Sequence, residues 1–196
     1  RTIKIDLPPF TLVGATTRAG LISAPLRDRF VVREHLDYYS VSELAKIIFR
    51  SAGKLDMPMD DETATEIAGR SRGTPRLANN RLRWVRDYST SRANRVVDLE
   101  IARTALEMQG IDELGLDGFD RRYLETLQRV FGGGPAGIEA IAHTMSTAVD
   151  TLEDDVEPFL LRYELIIRTP RGRRLTERGE AHLGDAPPSG PQQKLF

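Results

Sequence analysis

Gly73, Thr74, Pro75 and Arg76 constrain the fold of this chain more than any other four residues, because they oblige one helix to stop before them and another to start. Glycine provides the turn and threonine a hydroxyl at the N-cap. Proline then sets φ at the first helical position, where its missing N–H has no partner to lose. Similar punctuation lies on both sides. Ser40 followed by Glu43 is a capping box, with Val41, Leu44, Ile47 and Ile48 on one helical face and Gly53 closing the run. Asp60 caps a second helix carrying Ala64, Ile67 and Ala68. The helix after Thr74 carries Leu77, Ala78, Leu82, Trp84, Val85 and Tyr88, a broad apolar stripe. Asp98 opens a fourth with Ile101, Ala102, Ala105 and Leu106 inward. The spacing predicts a four-helix, all-α unit over residues 38–108. Arg76 stands against the macrodipole of its own helix, which a bound phosphate would explain; read alone, it fits a surface arginine better.

Ahead of this unit, Thr11 to Gly14 is a short apolar run after Pro8 and Pro9, suited to a buried parallel strand. Thr16, Thr17 and Arg18 then fall at its carboxyl end, the edge where open α/β sheets hold ligands. An ordinary polar turn accounts for them as well. Ser23 to Phe30 adds Pro25, Arg27, Asp28 and Arg29. An arginine suits the γ-phosphate of a neighbouring subunit's nucleotide, but without context a solvated Arg/Asp pair on a short helix is the better reading. Thr2 to Ile5 reads as the return strand of a hairpin.

Bulk properties exclude several classes. The 196 residues can bury a real core, and a net charge of −1 means that any nucleic-acid binding must come from a local patch. Cysteine is absent, and His35, His143 and His182 are too scattered for a metal site, so no metal ligands are assigned. No apolar run has the length of a membrane span and the amino terminus has no signal-peptide pattern, so a reducing cytoplasm is the simplest location. No GxxxxGK[ST] phosphate loop occurs, so the chain is expected not to hydrolyse ATP alone and to be the carboxyl-terminal portion of something longer.

The second half changes character. Gly110 to Asp117 reads as a linker into a helix bearing Tyr123, Leu124, Leu127, Val130 and Phe131, which Gly132, Gly133, Gly134 and Pro135 break. Ile138 to Met145 is a second helix. Thr151 caps a third through Leu152, Val156, Phe159 and Leu160. Leu165 to Ile167, a turn at Thr169 to Gly172, and Arg173 to Thr176 make a hairpin. Three helices and a hairpin spell a winged helix over 109–184. Its third helix opens with Glu153, Asp154, Asp155 and Glu157, which phosphate repels, so it is a poor reading head. The hairpin instead gathers Arg168, Thr169, Arg171, Arg173 and Arg174, a set suited to holding duplex DNA by its phosphates without reading bases. A solvated basic turn is the alternative. Residues 185–196, rich in Pro, Gly, Ser and Gln, read as a disordered tail.

These motifs occur together and in order, and the chain resembles the RuvB family of bacterial Holliday-junction motors, which are AAA+ ATPases. The resemblance rests on GATTR (14–18), LRDRF (26–30), GTPR (73–76), DELGLD (112–117), FGGGP (131–135), EPFL (157–160) and RTPRGR (168–173). It implies a mainly α chain: the end of an AAA+ α/β domain over 1–37, a helical lid over 38–108, then the winged helix. It also implies that Thr17 is sensor 1, that Arg29 is the arginine finger acting in trans with Arg27 in reserve, and that Arg76 is sensor 2. Pro75 and Tyr39 would lie near the adenine. ATP or ADP with Mg2+, a homo-hexamer, the junction-binding protein RuvA, and ATP-driven branch migration in recombination and repair all follow from the resemblance alone. The isolated chain is expected to be monomeric. Two departures stand out. Val31 occupies the place of an expected glycine, and Asn80, Arg81 and Trp84 replace a more basic pattern, which suggests that this helix packs differently against a neighbouring subunit. A winged-helix regulator without enzymatic activity would leave GATTR, LRDRF and GTPR without purpose. An AAA+ clamp-loader subunit would normally end in a helical collar rather than a wing.

Overall fold

Side-chain oxygens set where five of the ten described α-helices start. The computed structural model describes residues 8–93 and 95–185. Its contacts divide the chain into two units, Arg1–Asp37 and Tyr38–Phe196.

In the first unit a 3-10 turn, Ala19–Leu21, precedes a one-turn helix α1, Ala24–Arg27, with Pro25 in its first turn. The predicted strand at Thr11–Gly14 has no partner among the described residues, and Phe10, Leu12 and Val13 are exposed. An apolar run becomes a strand only when a neighbouring ladder takes its amides and carbonyls. Thr2 to Ile5 lies outside the described residues. Val31 is 94% exposed and is not among the left-handed residues, so its β-branch meets no backbone conflict.

In the second unit α2 (Val41–Lys54) opens on the Ser40/Glu43 capping box, with both reciprocal bonds present. Asp60 accepts from the Thr63 amide (2.8 Å) to start α3 (Asp61–Gly69), and Asp98 accepts from Ile101 (2.9 Å) to start α5 (Leu99–Met108). Between them α4 (Pro75–Arg92) begins at Thr74 as expected, although the Thr74 hydroxyl makes no capping bond and is buried without a partner. Proline at the first position has φ already set for the helix and no amide to leave unpaired, so the helix starts without a side-chain cap. Leu44, Ile48, Ile67, Leu82, Val85 and Leu106 form the core of this four-helix layer.

A second core gathers Tyr123, Leu124, Leu127, Ile141, Met145, Leu152 and Leu160. The predicted linker is in fact ordered: Leu116 is fully buried, and Asp112 and Leu116 close a tight turn by a backbone bond of 3.0 Å. Asp117 then caps α6 (Gly118–Arg129), and α7 spans Ile138–Met145. The third helix begins earlier than Thr151, which donates no cap. It runs as α8 (Val149–Thr151), a π-helical stretch Leu152–Val156, and α9 (Glu157–Arg162). Pro158 has no amide to give to the preceding turn and its ring crowds it, so the turn widens. Strands β1 (Ile166–Thr169) and β2 (Gly172–Leu175) pair antiparallel with Arg168 opposite Arg173. Ala136 bridges Arg173 through two backbone bonds of 2.8 and 2.9 Å, tying the triple-glycine turn to the hairpin. Gly172, at φ +128°, permits that approach, since a Cβ there would collide with the Ala136 carbonyl. Helix α10 (Glu177–Asp185) was not expected; it starts where the Thr176 hydroxyl accepts from the Gly179 amide (3.0 Å). Asp185 therefore ends a helix, and 186–196 lie outside the described residues.

The capping box fixes the entry of α2, so Ser40→Ala should lower unfolding free energy by about 1 kcal/mol in a urea titration. An unchanged midpoint would mean that tertiary packing alone sets this start.

Candidate functional site

Thr17 and Arg29 sit on either side of the short helix of the first unit. The Thr16 hydroxyl accepts from the Arg18 amide (3.0 Å), which holds the GATTR turn and leaves Thr17 exposed. Arg29 follows α1 in a closing turn, its amide donating to the Leu26 carbonyl (3.2 Å). Phe30 lies against Gly14, where a Cβ would stand 3.4 Å from the ring, so the two motifs of this unit touch. Asp28 pairs with Arg33 at 3.5 Å. The predicted pairing of Asp28 with its flanking arginines is therefore not what forms, and Arg27 and Arg29 point their guanidinium groups to solvent.

Tyr39, Pro75 and Arg76 come together through one turn. Gly73 has φ +75°, and its carbonyl accepts from the Tyr39 amide (2.9 Å). A Cβ at Gly73 would stand 2.8 Å from Tyr38 Cβ and 3.2 Å from the Tyr39 carbonyl, so only glycine lets the 38–39 segment lie here. Pro75 and Arg76 follow at once. The Pro75 carbonyl is taken by Asn79 Nδ2 (2.9 Å). Arg76 is exposed, and the first turn of this 18-residue helix holds no acidic residue, so its positive end is uncompensated. An exposed guanidinium, free amides and an exposed tyrosine ring on one turn suit an anionic group attached to a flat aromatic one.

The departures in α4 face inward. Arg81 is buried and its Nη2 donates to the Gly115 carbonyl (3.1 Å). Burial, aided by Arg72, pulls its pKa down to about 10 while Asp117 and Asp120 oppose, so it stays charged at neutral pH. Trp84 Nε1 donates to the Ala105 carbonyl (2.6 Å). Of the three departures Asn80 is exposed, while Arg81 and Trp84 make internal contacts. Nearby, Asp112 meets His182 of α10 at 2.9 Å. Burial pushes the Asp112 carboxyl up, but His182 and the Leu116 amide hold it below the ordinary range.

The hairpin divides its arginines between two tasks. Arg171 at the tip and Arg174 on β2 are exposed. The Thr169 hydroxyl donates to the Gly172 carbonyl (2.8 Å) and accepts from the Arg171 amide (3.3 Å), so Thr169 pins the tip rather than facing outward. Arg173 turns inward. Its Nε donates to Glu157 Oε1 (2.8 Å) and its Nη2 to Glu153 Oε1 (2.9 Å). Arg168, half-exposed, reaches the same carboxylate from the other strand, with Nη2 at 2.6 Å and Nε at 3.0 Å from Oε2. Tyr123 donates its hydroxyl to Glu157 Oε1 (2.8 Å). Like charges directly across a ladder repel, and the fully buried Glu157 together with Glu153 sets two carboxylates against the two guanidinium groups. Burial pushes the Glu157 carboxyl up, yet Arg173, Arg168 and Tyr123 together hold it below its usual value. Burial, together with the Glu157 charge, raises the Tyr123 hydroxyl far above its ordinary range. The sequence reading took Glu157 only as a repulsive charge. The signal for its role was the pair Glu153 and Glu157, four residues apart on one helix, which is unfavourable unless cations arrive from elsewhere.

Residues 113–184 match the family RuvB C-terminal winged helix domain, 39–112 the RuvB AAA lid domain, and 1–36 the Holliday junction DNA helicase RuvB P-loop domain. The Holliday junction branch migration complex subunit RuvB of Rhodopirellula baltica is 57% identical over 191 residues, which are 97% of this chain and 52% of that protein. Its counterpart in Myxococcus xanthus is 48% identical over 196 residues, 100% of this chain and 57% of that protein. The chain thus spans little more than half the length of these relatives. Among solved structures, the Thermotoga maritima RuvB Holliday junction branch migration motor superposes with a TM-score of 0.85 at 45% identity, over 92% of this chain and 60% of that one.

The Glu157 cluster generates a pH prediction. A carboxylate whose folded pKa is depressed contributes stability that is complete above its unfolded value, about 4.3, and is lost as pH falls through the folded value. Stability against thermal unfolding should therefore fall below about pH 4. Glu157→Gln should be roughly 2–4 kcal/mol less stable at pH 7 and show a shallower acid decline, because Gln leaves Arg168 without its counter-ion and Arg173 with Glu153 alone. Parallel acid profiles for the two proteins would contradict this account.

Proposed function

The chain belongs to the RuvB family, and we propose that it supplies the nucleotide-sensing and DNA-gripping parts of an ATP-driven translocase that moves Holliday junctions in recombination and repair. The observation that carries this reading is the hairpin: outward Arg171 and Arg174 on a frame fixed from behind by Glu157. Arg171, Arg174 and the exposed part of Arg168 neutralise phosphates of duplex DNA. Thr169 keeps the tip in shape and Arg173 braces it. No base-reading helix is needed, since Glu157 of α9 and Glu153 in the stretch before it are committed to the hairpin. That commitment also leaves a sequence-specific regulator without a reading head.

Nucleotide is sensed at two places in this reading. Arg76 meets phosphate at the start of α4, with Pro75 and Tyr39 against the adenine. The uncompensated first turn and the exposed guanidinium support that assignment. Thr17 acts as sensor 1, and Arg29 reaches from one subunit to the γ-phosphate held by the next, which requires a ring, here a homo-hexamer. Magnesium-bound ATP supplies the phosphoanhydride bond whose cleavage drives the cycle. RuvA is the proposed partner that loads the ring on a junction, and the cytoplasm is the proposed location. Among the described residues no helix is long and apolar enough to cross a membrane.

Fluorescence anisotropy of the chain with two duplexes of unrelated sequence, across a salt series, tests the grip. Both duplexes should bind equally and weaken steeply with salt. Arg171→Ala and Arg174→Ala should each reduce the log–log salt slope by roughly 1. Strong preference for one duplex, or slopes untouched by both substitutions, would defeat the proposal.

A further inference from the structure

Arg72 stands immediately before the sensing turn and has a left-handed backbone, φ +53°, followed by Gly73 at +75°. For a residue with a side chain this conformation is unfavourable and persists only where the surroundings over-determine it. What holds Arg72 comes from outside the four-helix layer. Its Nε donates to the Gly115 carbonyl (2.7 Å). Its Nη atoms pair with Asp120, and Nη2 lies 3.3 Å from Asp117 Oδ2. Its guanidinium stands 4.7 Å from the centre of the Phe159 ring. Its carbonyl accepts from Arg162 Nη2 at 2.7 Å. Every one of these partners belongs to residues 115–162, the module that carries the hairpin.

Arg162 is the last residue of α9, the helix whose first residue is Glu157. Besides bonding the Arg72 carbonyl, its guanidinium lies 3.7 Å over the Tyr38 ring, next to the residue whose amide bonds Gly73. Its Nη1 is buried without a hydrogen-bond partner and stands 3.1 Å from where a Gly73 Cβ would be, so the arginine occupies the space that the glycine leaves. One side chain therefore touches both strands of the sensing turn. The other end of the same short helix holds the hairpin arginines.

We propose that Arg162 is a positioning residue through which the winged-helix module sets the turn that carries Tyr39, Pro75 and Arg76. The consequence for nucleotide rests on the reading of those three residues given above. A shift of α9 moves the turn, and by reciprocity a shift of the turn moves α9 and the hairpin. The hydrogen bond from Tyr39 to Gly73 is the reporter, since it closes only while the turn is held.

The test is amide hydrogen exchange of the full 196-residue chain by NMR, with Arg162→Ala, Arg162→Met and Arg162→Lys. Met fills the space without a donor or charge, whereas Lys keeps a donor and a cation over the Tyr38 ring. Exchange of the Tyr39 amide should rise about tenfold in the Ala and Met variants and stay near wild type in the Lys variant. Core amides such as Ile48 and Leu82 should be unchanged. Tyr39 exchange within about twofold of wild type in all three, or Met rescuing as well as Lys, would overturn the proposal. If the Ala variant loses core protection, the comparison of Met with Lys decides. The readout lies within the chain, so it does not depend on whether Arg76 meets a phosphate. Nucleotide binding to the longer protein that survives Arg76→Ala would remove the sensing role and leave the coupling intact.

Discussion

A carboxylate removed from water without a partner is among the least tolerable groups in a protein interior, and Glu157 is fully buried. Its position is possible only because Arg168, Arg173 and Tyr123 all converge on it. The dependence runs in both directions. Two arginines facing each other across a short two-stranded ladder repel, and that repulsion opposes the hairpin's pairing. The glutamate therefore fixes the hairpin to the helix, and Tyr123 fixes the glutamate to α6. The acidic start of the third helix, which looks hostile to DNA in isolation, is what allows a basic hairpin to exist.

The joint between the four-helix layer and the winged helix uses the same chemistry with the signs exchanged. Here buried cations reach carbonyls and carboxylates across the boundary: Arg81 to Gly115 and Arg72 to Asp120. Apolar joints slide, because dispersion contacts have no preferred register. Charge-assisted bonds to single carbonyls do not, so the two layers are keyed together at defined points. Removing one partner would strand a charge in a dry place, which makes the joint sensitive to single substitutions.

Local signals were legible in the sequence wherever one residue type does one job. Ser40 with Glu43, Asp60, Asp98 and Pro75 marked four helix starts, and the apolar stripes of α2, α5 and α6 were readable from their period. The hairpin was readable from its turn, and its arginines from their density. What could not be read was pairing across distance. Glu157, Arg72, Arg81 and Arg162 look like surface charges in a linear string, and only the fold brings their partners from up to 90 residues away. Thr74 shows the opposite failure: a correct cap position whose hydroxyl has no bond, because the proline beside it had already fixed the start. The strand at Thr11–Gly14 needed a neighbour that no residue of the run itself can supply.

The shared carboxylate has one more consequence. Of the four hairpin arginines, Arg173 is engaged inward and Arg168 spends much of its charge on Glu157, so the field that the wing presents is weaker than its composition suggests. If the hairpin grips duplex DNA as proposed, resting on phosphates and then moving on, a weak field is an advantage. Each step along a duplex trades one phosphate for the next, and the barrier to that exchange grows with the number of charges that must let go together. Two outward cations on a stiff base combine few charges to release with a fixed geometry, the pairing that the proposed role of moving along a duplex calls for.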